Sequence, residues 1–213
     1  MTLGVISPPS SYGADIAVGS IQPLGVHMHG GGGVGGFIAS HHEERYAREY
    51  PTFLVSIAPT SVEGEHGFGL SLFHQTSYGM RDEGKDWTGN STYLWTIAGA
   101  AYMALLGPQG FVELGRAILA NAHSAATKIG TIDGVSISQP TGFFKEFLVD
   151  FNATGRTVAD INKALLAHDI FGGIDLSQDE PRLGQSALYC VTEIHTESDI
   201  DRLVTALTEV LSR

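Results

Sequence analysis

The sequence predicts an α/β fold. Three observations carry that expectation: a glycine-rich loop between two apolar segments, two helices separated by Gly107-Pro108, and a C-terminal third in which strands alternate with helices. In chain order, apolar residues 14–18 and 37–40 flank residues 22–36, which read Gln-Pro-Leu-Gly-Val-His-Met-His-Gly-Gly-Gly-Gly-Val-Gly-Gly. Four consecutive glycines let backbone approach a ligand or another chain without interference from a Cβ, the setting of a site loop on an α/β sheet. A short charged helix over 41–49 follows, then apolar segments 52–57 and 67–74 and a polar stretch over 76–92. The helix predicted over 91–106 starts after a cap at Asn90 or Ser91 and is apolar around most of its circumference, as a buried helix or a subunit contact would be. Gly107 breaks it, and Pro108 starts a second helix that ends near Gly130.

Gly-containing turns and Pro140 lead into a separate module. It reads as strand 143–151, helix 157–168, a short strand near Ile174, strand 187–194 and helix 198–211, the last capped by Thr196 three residues before Asp199. This pattern describes an α/β sandwich with helices on one face, so the chain divides into regions 1–135 and 136–213.

Composition bounds the function. The 213 residues are 43% hydrophobic and 9% aromatic, enough to bury a substantial core. A formal charge of −11 opposes attraction to nucleic acid or an anionic membrane. No apolar run reaches membrane-spanning length and no leader-like segment opens the chain, so a cytoplasmic protein is expected. Cys190 is the only cysteine, which excludes an internal disulfide and a multi-cysteine zinc site; in its strand-like run a small buried hydrophobe is expected.

Several ordered motifs carry a family resemblance. Tyr12-Gly-Ala-Asp-Ile-Ala-Val-Gly, Gln22-Pro-Leu-Gly and the glycine run are followed by Gly89-Asn-Ser-Thr-Tyr-Leu-Trp and Ala104-Leu-Leu-Gly-Pro-Gln-Gly-Phe, then by Phe171-Gly-Gly-Ile-Asp-Leu and Ala187-Leu-Tyr-Cys-Val-Thr-Glu. Together they resemble the pyridoxal-phosphate (PLP) dependent glycine decarboxylase family, the P-protein of the glycine cleavage system, and specifically the C-terminal half of the non-cofactor subunit 1 of its two-subunit form. The resemblance implies a fold-type I PLP-transferase-like fold. Residues 1–135 would be the C-terminal portion of the large domain and 136–213 the small C-terminal α/β domain. Earlier strands and the phosphate-holding loop of that large domain have no counterpart, so a further chain supplying the missing N-terminal half is expected, in a naturally split subunit or a truncated product.

In the family's sister subunit a Schiff-base lysine precedes a similar glycine loop; here Gln22 stands in its place. An amide forms no Schiff base, because that chemistry needs an amine free of its proton. Of the four lysines, Lys128, Lys145 and Lys163 read as solvated cations, and Lys85 lies between acidic neighbours that favour its ammonium form. The resemblance therefore implies PLP on a partner subunit 2, decarboxylation of glycine there, and transfer of the aminomethyl group to the lipoyl arm of the H-protein. This chain would contribute a wall of the substrate or lipoyl channel or a subunit interface through Gln22, His27, His29, Gly31, Gly32, Thr88, Asn90 and Ser91.

Alternatives stay open at this point. His27 and His29 with His41-His42 suit either a metal or a hydrogen-bonded, partner-facing loop. Asp15 is either the family's acidic residue near the cofactor or a turn entering a strand. The 76–92 stretch either holds an anion at a helix N-terminus or caps that helix, and Trp87 and Trp95 read as packing or interface anchors. A noncatalytic assembly module and an independent PLP enzyme using Lys85 are the other functional readings.

Overall fold

The computed structural model describes residues 5–28, 33–86 and 93–212. It is a mixed α/β structure that divides into two compact units, residues 7–106 and residues 107–213 with 1–6.

The first unit is built on two hairpins. Strands β1 (Ile16–Ser20) and β2 (Gly36–Ser40) pair antiparallel, with Val18 opposite Ile38. The segment linking them is thus a hairpin loop of a two-stranded sheet, where the sequence led us to expect a loop on a larger α/β sheet. Strands β3 (Leu54–Pro59) and β4 (His66–Ser71) form the second antiparallel pair, with Ile57 opposite Phe68. The charged segment between β2 and β3 is helical only over α1 (Glu44–Ala47). After β4, the single turn α2 (Ser77–Met80) starts where the Asp86 carboxylate accepts hydrogen bonds from the Ser77 N–H and hydroxyl.

Helix α3 (Tyr93–Ile129) is interrupted at Gly107, whose φ of 64° and ψ of 175° are non-helical; Pro108 opens the second segment, as its fixed φ and missing N–H favour. In the first unit the 93–106 segment buries Gly99 but leaves Leu94, Ile97 and Leu105 in solvent. The apolar circumference read from the sequence is therefore uncovered within this unit.

The second unit holds a four-stranded antiparallel sheet in the order β5-β6-β8-β7, made of β5 (Ser136–Ile137), β6 (Glu146–Asp150), β7 (Ile174–Asp175) and β8 (Ser186–Cys190). Its core follows from two periodicities. Phe147 and Val149 of β6 and Ala187 and Tyr189 of β8 point to one face at a spacing of two. Against them pack Ala122, Ala125, Ala126 and Ile129 of α3 at helical spacing, with α4 (Val158–Leu165) and α5 (Glu197–Leu211) alongside. The compact unit begins at 107 because the last turns of α3 supply part of this core.

Two caps fix the helices. Thr157 accepts from the Asp160 N–H to start α4, and Thr196 with Asp199 makes a reciprocal capping box at α5. Asn121 donates to the carbonyls of Thr192 and His195 at 3.1 and 2.8 Å, which ties the β8–α5 connection to α3.

One expectation is corrected here. Cys190 is exposed, because the inward face of β8 carries Ala187 and Tyr189 and the next residue turns outward. Partial desolvation still holds its thiol above the ordinary range.

Candidate functional site

The loop between β1 and β2 is pinned at its base. The Ile21 N–H donates to the Gly35 carbonyl at 3.0 Å, and Ile21 and Val26 are both buried. Val26 sits on Gly99 of the 93–106 segment, and Gly25, at a φ of 76°, lies so close to Tyr102 that an added Cβ would stand 2.7 Å from the ring. Glycine is thus required at Gly25 on two counts, the left-handed backbone and the contact. Between these anchors residues Gln22–Leu24 form a tight turn with Pro23 near its start, and the Gln22 N–H donates to the Ser20 hydroxyl at 3.1 Å.

Of the residues selected from the sequence, Gln22 is half-buried in this turn and His27 is exposed just past Val26. One loop carries both, on opposite sides of the Gly25 contact. His29, Gly31, Gly32, Thr88, Asn90 and Ser91 lie outside the described residues. No group of three metal-ligating side chains forms among the described residues, so His27 joins no such cluster with His41 and His42.

The register of the hairpin gives Asp15 a partner that the sequence did not single out. Pairing Ile16 with Ser40 brings Asp15, the residue before β1, next to the segment that follows β2. There the Tyr46 hydroxyl donates to the Asp15 carboxylate at 2.8 Å, which pushes the phenol above its ordinary range. The Arg45 guanidinium lies 4.6 Å from the centre of the Tyr46 ring and pairs with Glu43 at 2.8 Å. Tyr50 donates to the Ser40 hydroxyl at 3.0 Å. Asp15 therefore opens a strand and anchors a tyrosine. The partners lie 31 residues apart in sequence, so only strand register could have revealed the pair.

The lysines test whether this chain can hold PLP covalently. Lys85 donates to the Glu49 carboxylate and the Arg48 carbonyl, both at 3.1 Å, so its nitrogen is engaged by two acceptors. Lys128 bridges Glu197 and Asp201, and these hydrogen bonds raise its pKa, Asp201 foremost. Lys145 lies 3.8 Å from Glu146, and Lys163 is exposed on α4. None offers the desolvated amine that a Schiff base requires. The side chains present do not fit covalent attachment of PLP.

Comparison with solved structures places this arrangement in a class. The crystal structure of a glycine decarboxylase (P-protein) of the glycine cleavage system, in inhibitor-bound form, matches 98% of this chain and 46% of that chain, with a TM-score of 0.79 and 34% identity. A NifS-like protein from Rickettsia africae ESF-5 shares the fold at a TM-score of 0.61 and 15% identity, covering 99% of this chain and 51% of that chain. The fold is that of the fold-type I PLP-dependent enzymes, as the resemblance implied.

The family model described as glycine cleavage system P-protein matches residues 1–207, and the chain belongs to this family. Among curated relatives, "Probable glycine dehydrogenase (decarboxylating) subunit 1" of Desulfitobacterium hafniense (strain DSM 10664 / DCB-2) is 36% identical over 210 residues, covering 99% of this chain and 46% of the relative. The protein of the same name from Staphylothermus marinus (strain ATCC 43588 / DSM 3639 / JCM 9404 / F1) is 34% identical over 212 residues, covering 100% and 45%. The chain spans less than half the length of the curated relatives it matches. Among the described residues no helix is long and apolar enough to cross a membrane.

Proposed function

We propose that this chain acts as a subunit, or a part of one, of glycine dehydrogenase (decarboxylating), and supports PLP-dependent decarboxylation of glycine without a Schiff-base lysine of its own. The observation that carries the proposal is the family match over residues 1–207 in a chain whose lysines are all exposed or ion-paired and whose hairpin loop presents Gln22. PLP then belongs on a partner subunit 2. A polypeptide equivalent to the N-terminal half completes the large domain, to which residues 1–135 contribute and beside which 136–213 form the small domain. The lipoylated H-protein receives the aminomethyl group.

Within this complex the half-buried Gln22 and the exposed His27 face the substrate or lipoyl channel or the subunit contact, together with His29, Gly31, Gly32, Thr88, Asn90 and Ser91. The Gln22 amide and the glycine backbone bind and orient through hydrogen bonds and supply no nucleophile. The net charge of −11 opposes binding to nucleic acid or an anionic membrane, and the proposed location is the cytoplasm.

Co-expression with the neighbouring reading frames, followed by size-exclusion chromatography and a glycine–bicarbonate exchange assay with lipoylated H-protein, tests the proposal. Co-elution with exchange activity that disappears when this chain is omitted is the expected result. Activity unchanged by the omission would leave a noncatalytic module of the same fold.

A further inference from the structure

The strand ladder alone does not place Gln22. Pairing of β1 with β2 ends at Ser20 and Gly36, and the Ile21 N–H bond to Gly35 extends it by one rung. Residues 21–35 are rich in glycine, so the ladder sets where the loop starts and ends and leaves the course between them open.

A stripe on the 93–106 segment closes that freedom. Trp95, Gly99, Tyr102 and Leu106 recur at spacings of three and four and are its positions drawn out of solvent, while the residues between them are exposed. Large and small residues interlock across the contact. Val26 of the loop stands 3.4 Å from where a Cβ on Gly99 would be, and the Tyr102 ring stands 2.7 Å from where a Cβ on Gly25 would be. A slip of one residue would drive Val26 into that ring, so the fit admits one register of loop on helix. The turn carries the register to Gln22. The Leu24 N–H donates to the Ile21 carbonyl at 2.9 Å, Pro23 fixes its own φ, and Gly25 ends the turn at a φ of 76°. Gln22–Leu24 is thus one closed piece, held at Ile21 by the hairpin and at Gly25 by Tyr102.

We infer that Tyr102 is a positioning residue of the proposed site: its ring holds Gly25 and through the turn sets the Gln22 amide, so that Tyr102 acts on glycine turnover only through Gln22. The inference rests on the subunit reading above. A side chain that only orients another has a distinct signature. Its loss does no harm once the group that it orients is gone, whereas a loss of stability adds to any other defect.

Two measurements test this. The first is hydrogen exchange by NMR on the full chain. Tyr102→Ala should speed exchange of the Leu24 N–H about ten-fold or more and leave the amides of β6 and β8 unchanged, while Tyr102→Phe, which keeps the ring, should match the parent. The second is the glycine–bicarbonate exchange assay on the co-expressed complex. Gln22→Ala and Tyr102→Ala should each lower kcat/KM for glycine about ten-fold or more, the double variant should fall no further than Gln22→Ala alone, and Tyr102→Phe should restore the parent value. Should Tyr102→Ala abolish protection across both hairpins of the first unit, Tyr102→Leu, which keeps apolar bulk and lacks the flat ring, takes its place in both measurements. Unchanged Leu24 exchange, additive losses in the double variant, a Tyr102→Phe defect as large as that of Tyr102→Ala, or full activity of Gln22→Ala would each overturn the inference while leaving the subunit reading in place. A complex that is inactive with the parent chain removes the subunit reading instead, and Leu24 exchange then decides whether Tyr102 holds the turn.

Discussion

The Tyr189 hydroxyl is buried in the second unit without a hydrogen-bond partner, and replacing it with phenylalanine should change how the protein responds to alkali. Desolvation pushes its pKa up to about 12, an effect that the nearby Gly173 backbone slightly opposes without completing a hydrogen bond. In the unfolded chain the phenol ionises near 10, so between about pH 10 and 12 the native state holds a proton that the unfolded state has lost. Stability from this group is therefore complete below pH 10 and falls as pH rises. Each pH unit of the window is worth about 1.36 kcal/mol, about 2.7 kcal/mol in all.

Tyr189→Phe should stay within about 1 kcal/mol of the parent at pH 7, since it deletes an unpartnered polar atom and keeps the ring, and it should lack the alkaline loss. Urea unfolding followed by far-UV circular dichroism between pH 7 and 12 reads the difference. Other tyrosines and lysines titrate in both proteins and cancel. Parallel decline of parent and variant above pH 10 would refute the assignment.

Three further outcomes follow from the geometry. Thr196→Ala removes the hydroxyl half of the α5 capping box and should cost about 1 kcal/mol at neutral pH by the same unfolding assay. Asp199 is held below its ordinary range by bonds from Thr196, so this interaction contributes above the unfolded carboxyl value and fades as pH falls through the folded one; the cost of Thr196→Ala should shrink in acid. Gly173→Ala places a Cβ 2.5 Å from the buried Tyr189 ring and should destabilise the second unit by about 1–3 kcal/mol, measured as a lower urea midpoint at unchanged slope. Borohydride reduction of the chain incubated with PLP should leave no preferential adduct on Lys85 by peptide mass mapping, because its amine is bound to Glu49 and Arg48; a dominant Lys85 adduct would revive the reading of an independent PLP enzyme.

The second unit was legible in the sequence because its signals are local. The spacing of Ile200, Leu207 and Val210, the Thr196 cap and the alternation around Phe147 each lie within a few residues; the elements read there appear with their ends moved by up to four residues, and the two-residue edge strand β5 carried too little pattern to be read. Cys190 departs from what its residue type suggests because the same alternation sets it on the face opposite Tyr189. The candidate site was less legible. The loop of Gln22 and His27 was identified, but its anchoring depends on Tyr102 and Gly99, some 75 residues away, and the Asp15–Tyr46 pair depends on strand register. Contacts of that range leave no periodic trace.

The first unit is less legible in the sequence, for a physical reason. Segments 14–18, 37–40 and 52–57 carry apolar side chains on both faces, which in a sequence signals a strand covered on both sides. Within residues 7–106 the structure supplies the strands and leaves much of that cover absent: Ile16, Val18 and Ile38 line one face of the first hairpin in solvent, while Ala17 and Phe37 of the other are half-buried. Two-stranded hairpins of this kind are marginal alone, because ordering them costs about 1–2 kcal/mol per residue of backbone entropy that their small buried area cannot offset. The sequence of this unit is therefore consistent with a fold that a longer polypeptide assembly completes. The loop carrying Gln22 inherits that dependence, because the strands that present it are the ones left without cover.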